Sequence, residues 1–312
     1  MDDMHRKSAS EHSDQEHLRK QMERQEEMKG LIQQIARESS NIDLRIVLLG
    51  KTGSGKSSAG NTIIGDFVFK SGMSSKSITS HCQRHLTTVE DRIISVIDTP
   101  GMFDTYMSEE QLKAEIAKCV YMSAPGPHVF LLVMRLDARY TNEEKNTVKW
   151  IQENFGEEAT RYTIILFTRG DQLKGQTLDD YISENNDLKA LVNERGDRYH
   201  LFNNEDMKNR SQVTELLEKI EKMVKENGGQ HYTNETYRKA QDEIKWEAQK
   251  QRSKGYGIKA LAVIGGATVV AGTGAVAVAV AGGAGAVAAV AGRAAATVGA
   301  AVLGAAKAGL KL

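Results

Sequence analysis

Hydrophobic residues in this chain gather into short continuous runs of strand length, separated by longer polar stretches. Arg45–Leu49, Arg92–Ile97, His128–Arg135 and Tyr162–Phe167 are nearly unbroken in Val, Ile, Leu, Met and Phe. Such runs read as strands buried on both faces rather than as alternating half-exposed ones. His128–Arg135 is the most apolar and is expected at the centre of the sheet, and Tyr199–Phe202 reads as a short further strand. Residues 211–225 change period: Val213, Leu216, Leu217, Ile220 and Val224 recur at helical spacing with Glu and Lys between them. Strands alternating with helices predict an α/β fold of three layers around a mostly parallel central sheet, with ligands at the carboxyl ends of the strands.

The first strand runs into Gly50-Lys51-Thr52-Gly53-Ser54-Gly55-Lys56-Ser57, a complete G-x-x-x-x-G-K-[ST] phosphate loop, followed by Ser58 and a Pro-free stretch able to open a helix. In that setting backbone N–H groups around Gly53 to Lys56 surround the phosphates of a nucleotide. Lys56 reaches the β- and γ-phosphates, and the Ser57 hydroxyl takes a place on Mg²⁺.

Two further strand ends carry matching chemistry. Asp98-Thr99-Pro100-Gly101 follows the second run and supplies a carboxylate partner for Mg²⁺ and, at Gly101, a backbone N–H for a γ-phosphate. Thr168-Arg169-Gly170-Asp171 follows a later strand and is a variant of the [NT]-[KR]-x-D guanine signature. Asp171 can accept from guanine N1–H and the exocyclic amine, whereas adenine would leave that carboxylate desolvated and unpaired. The stem of Arg169 is expected on the base face. Asn204, with Asn203 as the lesser candidate, is expected to line the base after the last strand.

With these motifs in place, the segment Pro125-Gly-Pro-His-Val-Phe-Leu-Leu-Val-Met-Arg-Leu-Asp-Ala-Arg-Tyr-Thr-Asn-Glu-Glu-Lys145 becomes informative. Here the chain resembles the GTPases of immunity-associated protein family, septin-like guanine-nucleotide-binding proteins with a box of this kind before the guanine motif. The resemblance covers residues 43–226 and includes Ser-Ala-Gly-Asn-Thr-Ile after the phosphate loop and Asp-Thr-Pro-Gly-Met-Phe-Asp-Thr. It implies that Thr79 is the switch I threonine, reaching Mg²⁺ or the γ-phosphate, and that Ser71 lies beside the nucleotide. It further implies GTP/GDP with Mg²⁺ as ligands and self-association into a GTP-dependent dimer or oligomer. The chain departs from the family at Asp137-Ala138, where many relatives have Gly before the Arg. It departs again at Gly170, a position whose side chain is expected to matter little.

Charge is balanced, with 41 basic and 41 acidic residues, so nothing suggests nucleic-acid binding. Two cysteines, Cys82 and Cys119, are too few for a disulfide scaffold and suit a reducing cytosol. No N-terminal stretch looks like a signal peptide. Residues 1–40 are highly charged and read as a solvated, partly disordered helix whose last turns carry Leu31, Ile32 and Ile35. Residues 43–226 form the guanine-nucleotide-binding domain. Residues 227–257 form a charged helix or linker with Ile244 and Trp246, whose aromatics are expected to fold back on the domain. Residues 258–312 are rich in Ala, Gly and Val. Ala260–Gly292 holds no charge and exceeds the roughly 20 residues needed to span a bilayer. Lys250, Arg252, Lys254 and Lys259 precede it. This predicts a transmembrane helical segment, either one tilted span or a tight hairpin bending near Gly282-Gly283, that tethers the domain to the cytoplasmic face of an intracellular membrane; the alternative is a soluble cytosolic tail.

The expected function is a membrane-associated GTP-binding switch with slow intrinsic hydrolysis; the alternative is a GTP-held scaffold that hydrolyses negligibly. Met102 occupies the position after the Gly101 motif glycine, where many small GTPases use Gln to orient water, and a thioether does this poorly. No cis arginine stands at an obvious transition-state position. Arg139, together with Thr79, is therefore the candidate catalytic group, with Arg139 acting as an arginine finger across a dimer.

Overall fold

The structure is a computed structural model that describes residues 2–38, 42–72, 79–102, 107–138, 142–194, 196–263, 267–272 and 275–280. Two compact units divide it, Met1–Ile244 and Lys245–Leu312.

In the first unit, α1 (Asp2–Glu38) precedes β1 (Leu44–Leu49) and α2 (Lys56–Ile64). Strands β2 (Gln83–Val89) and β3 (Arg92–Asp98) follow, then α3 (Glu109–Ser123), β4 (Val129–Arg135) and α4 (Asn142–Phe155). The rest comprises β5 (Thr163–Thr168), α5 (Leu178–Ser183), α6 (Asn186–Glu194), β6 (Tyr199–Leu201), α7 (Ser211–Glu226) and the start of α8 (Glu235–Val263). The six strands are ordered β2-β3-β1-β4-β5-β6. All neighbours are parallel except β2, which runs antiparallel to β3. The continuous apolar runs are the four inner strands. Residues of β1, β4 and β5 are buried almost throughout, because helices cover both faces of the sheet.

One face packs Val47, Leu49, Phe130, Leu132 and Phe167 against α3, α4 and α6, with Tyr232 and Tyr237 added from the chain after α7. The other packs Ile46, Leu48, Val133 and Leu166 against α2 and α7. In α7 the buried stripe is Val213, Leu216, Leu217, Ile220 and Met223, with Val224 at its margin. Helix α3 starts with a capping box: Ser108 Oγ accepts from Gln111 N, and Gln111 Oε1 accepts from Ser108 N. Helix α2 begins at Gly55, in the left-handed region at φ 93°, with no side-chain cap. Its first amides therefore stay available at the head of the phosphate loop.

Two expectations for the chain beyond α7 change. Tyr237, Ala240 and Ile244 are the residues of α8 buried in the first unit, whereas Trp246 is 62 % exposed and lies under Lys250 Nζ at 4.7 Å. The predicted helix beyond Ala260 stops at Val263 among the described residues. There, β7 (Ala267–Gly272) and β8 (Ala275–Val280) pair as an antiparallel hairpin. Alternating Val with small Ala and Gly gives β-branched residues a pleated surface, which competes with a helix of weak propensity. Among the described residues no helix is long and apolar enough to cross a membrane. Residues 281–312 lie outside the described residues.

Candidate functional site

Every strand that feeds the site ends on the same edge of the sheet, because the inner strands are parallel. The phosphate loop leaves β1, the Asp98 turn leaves β3, Arg135 ends β4, Thr168 ends β5, and Asn204 follows β6. Together they wall a cavity of about 1520 Å³.

At its phosphate end, Lys56 is buried and its Nζ donates to the carbonyls of Gly50 (3.1 Å) and Lys51 (3.0 Å). Gly101 closes tightly on the loop. A Cβ there would fall 2.0 Å from Thr52 Oγ1 and 2.7 Å from Thr52 N, so only glycine lets this turn meet the loop.

The expected metal partners converge. Ser57 Oγ donates to Asp98 Oδ2 at 2.6 Å, and Thr79 Oγ1 lies 3.1 Å from Ser57 Oγ and 3.4 Å from Asp98 Oδ2. Asp98 Oδ1 is buried with no hydrogen-bond partner among the described residues. Burial pushes the Asp98 carboxyl above the usual range, opposed by Ser57, Lys56 and Thr79. Two hydroxyls and a carboxylate with an unsatisfied oxygen form the hard donor set that Mg²⁺ takes, so the residues fit that ion.

At the base end, Thr168 Oγ1 donates to Ser54 O at 2.9 Å and ties the guanine-type loop to the phosphate loop. Arg169 stands in the left-handed region at φ 67°, with Nη1 3.6 Å from Glu205 Oε1. Asp171 is exposed at the cavity wall and accepts from Gln172 Nε2. Asn204 lines the cavity and its Oδ1 accepts from Thr62 Oγ1 at 2.8 Å. Thr52, Gly53, Gly55, Ser58 and Ser71 also line it, and Ser71 Oγ accepts from Asn61 Nδ2 at 3.4 Å.

Not every candidate is brought in. Asn203 is absent from the lining. Its N–H donates to Gln212 Oε1, its carbonyl accepts from Gln212 Nε2 and its Oδ1 accepts from Glu205 N, so it shapes the turn that presents Asn204. Met102 is 1 % exposed in the core, its N–H donating to Gly50 O. Gly170 is tighter than expected: a Cβ would meet Leu201 Cγ and Phe202 O at 3.2 Å each. Arg139 lies outside the described residues.

Sequence reasoning passed over Arg135, which lines the cavity and pairs with Asp137 through Nε (2.7 Å) and Nη2 (2.6 Å). Its place at the carboxyl end of the central strand was the available signal. It also passed over Asn61. That side chain donates to Phe69 O (2.8 Å) and accepts from Val68 N and Phe69 N, anchoring the segment that leads to Ser71.

The fold and the cavity define a phosphate-loop GTPase domain, with places for a guanine nucleotide and Mg²⁺. The family model described as the AIG1 family matches residues 44–252, and the chain belongs to that family. It is 42% identical over 195 residues to GTPase IMAP family member 8 of Homo sapiens, covering 62% of this chain and 29% of that protein. Immune-associated nucleotide-binding protein 8 of Arabidopsis thaliana is 39% identical over 230 residues, 70% of this chain and 65% of that one. Immune-associated nucleotide-binding protein 7 of the same plant is 35% identical over 232 residues, 72% and 73% of the two chains. The chain thus spans less than two thirds of the first two relatives. Toc33 from Arabidopsis thaliana, solved in complex with GDP and Mg²⁺, is a more distant likeness: 23% identity, TM-score 0.43, and coverage of 58% of this chain and 78% of that one.

Proposed function

We propose that this protein is a guanine-nucleotide switch that binds GTP and GDP with Mg²⁺ and hydrolyses GTP slowly on its own. The Thr168–Ser54 hydrogen bond carries the reading, because it makes one site of two motifs, one suited to phosphates and one to guanine. Lys56 and the uncapped amides of α2 hold the phosphates; Ser57, Thr79 and Asp98 hold the metal; Asp171 reads the base. Bound Mg²⁺ supplies positive charge against the β- and γ-phosphate oxygens. Gly101 and Thr79 border the γ-phosphate position, so their segments respond to whether that phosphate is present.

Slow hydrolysis follows from Met102, whose side chain is committed to the core and leaves no water-orienting group at that position. Arg139 from a second copy supplies the missing charge, so the rate per molecule rises with protein concentration. In the Arg139→Ala variant that rise disappears while GTP affinity stays. A rate that stays negligible while the protein assembles would favour the scaffold alternative.

Base choice is tested with Asp171→Asn, which weakens GTP binding and admits xanthosine triphosphate. Unchanged GTP affinity would remove Asp171 as the base reader. The uncharged Ala260–Gly292 stretch supports attachment to the cytoplasmic face of an intracellular membrane. Extraction of the full chain by alkaline carbonate would argue against membrane insertion.

A further inference from the structure

Away from the cavity, α3 carries a buried charged cluster that the nucleotide chemistry does not use. Glu115 and Lys118 are 4% and 8% exposed, and residues of these types are almost never buried so far unless paired. Glu115 Oε2 accepts from the backbone N–H of Cys82 at 2.6 Å. Its Oε1 accepts from Lys118 Nζ at 2.9 Å and lies 3.0 Å from His81 Nδ1. His81 and Cys82 are the residues through which the chain passes from Thr79 into β2. A single buried carboxylate thus pins the exit of the segment that ends on the metal position.

The same cluster is joined from outside by α1. Glu27 Oε1 accepts from Lys118 Nζ at 2.6 Å. At the end of α1, Glu38 pairs with the largely buried Arg84 of β2 at 3.4 Å. Between these ties Ile35 is 5% exposed, and Leu31 and Ile35 line a groove with Cys82, Arg84, Leu86 and Met122. One helix therefore touches both elements that flank the Thr79 exit.

We propose that α1 is an intramolecular clamp on the nucleotide-sensing segment, holding residues 79–84 where Thr79 meets Ser57 and Asp98 and thereby slowing nucleotide release. Undocking α1 takes an acceptor from Lys118 and uncovers Ile35. Arg84 then loses Glu38, and water reaches the Glu115–Lys118 pair that α1 covered, which weakens the hold of Glu115 on the Cys82 amide. Coupling of this kind is reciprocal: whatever secures Thr79 at the metal position also secures α1. This inference rests on the nucleotide-binding reading above.

The test uses the full chain, a fluorescent non-hydrolysable GTP analogue with Mg²⁺, and three variants. Glu27→Gln alters a side chain that is 58% exposed, Ile35→Ala loosens the apolar seat, and Arg19→Gln changes an outward residue as control. The first two variants release the analogue about five-fold faster, the lower end of ordinary coupling between sites. Both also lose hydrogen-exchange protection at the Cys82 amide, while the control does neither. If Ile35→Ala fails to fold, Glu27→Gln alone decides. Normal binding with unchanged release and unchanged Cys82 protection overturns the clamp, even if thermal stability falls. Absence of saturable binding to the unaltered chain overturns the nucleotide reading, and the clamp with it.

Discussion

Thr168 Oγ1 donates to the carbonyl of Ser54 across 114 positions of sequence, so a residue at the base-reading end holds the phosphate-binding end in shape. The same hydroxyl lies 3.3 Å from Met134 O, which fixes its rotamer between the two loops. Thr168→Val keeps the volume and removes the donor, leaving Ser54 O buried and unpaired, a loss of about 1–2 kcal/mol. The expected result is a roughly five- to thirty-fold weaker GTP affinity by calorimetry with an unchanged circular dichroism spectrum.

Asp98 shows the opposite relation between stability and function. Its carboxylate is buried, one oxygen lacks a partner among the described residues, and burial holds its pKa up. Ser57, Thr79 and Lys56 compensate this buried charge only in part, with Oδ1 left without a partner, whereas a neutral amide costs less to bury. Asp98→Asn is therefore expected to raise the thermal midpoint of the nucleotide-free protein by a few degrees, on the order of 1 kcal/mol. In the same variant, GTP affinity becomes insensitive to Mg²⁺. A lower midpoint would show that the ionised form is satisfied in a way this geometry lacks.

Gly126, inside the Pro-Gly-Pro-His box, tests what that box does. It sits at φ 152°, and a Cβ would fall 1.6 Å from Tyr232 O, with His231 also close. Tyr232 N donates to Pro127 O at 2.8 Å, so the box clasps the chain that follows α7. Gly126→Ala is expected to cost more than about 3 kcal/mol in urea unfolding, since backbone rather than a flexible tip must move. Gly53→Ala, with no atom within 4 Å of its Cβ, gives a smaller loss dominated by backbone strain.

The half-buried His128 and the buried His200 give the protein an acid limb. His128 Nδ1 accepts the Arg45 N–H at 2.9 Å, and Nε2 faces Arg45 Nη2 at 3.5 Å. Burial and then Arg45 push its pKa down to about 3, and burial pushes His200 down to about 4. An unfolded imidazole takes its proton near 6.5. The unfolded state therefore binds protons first, and the stability held by these neutral rings is complete above about 6.5 and lost as pH falls toward 4. Urea midpoints should drop between pH 7.5 and pH 5, and His128→Asn should shrink that drop. An equal drop in the variant would assign the acid limb to other groups.

Much of the site was legible because its chemistry is local. A phosphate loop needs eight consecutive residues and a strand before them, and D-T-P-G and T-R-G-D, weak as isolated four-residue matches, become specific when they follow it in order at strand ends. The inner strands were legible because burial on both faces leaves unbroken apolar runs. Glu115 and Lys118 gave no such signal, since on an isolated helix they read as a solvated i,i+3 pair. The tail failed for a related reason: Ala favours a helix, Val a strand and Gly neither, so the mixture cancels and length suggested a span while Ala267–Gly272 pairs antiparallel with Ala275–Val280.

The sequence by itself therefore determined the strands, their motifs and the class of ligand, through short-range patterns that need no partner. Tertiary structure alone decided that Thr168 braces Ser54, that Asn204 rather than Asn203 reaches the cavity, that Arg135 lines it, and that α1 meets the Thr79 exit through Lys118 and Glu115. Each of these depends on which residues the parallel sheet and its covering helices bring together, and contacts across 33, 91 or 114 positions leave no trace in local pattern.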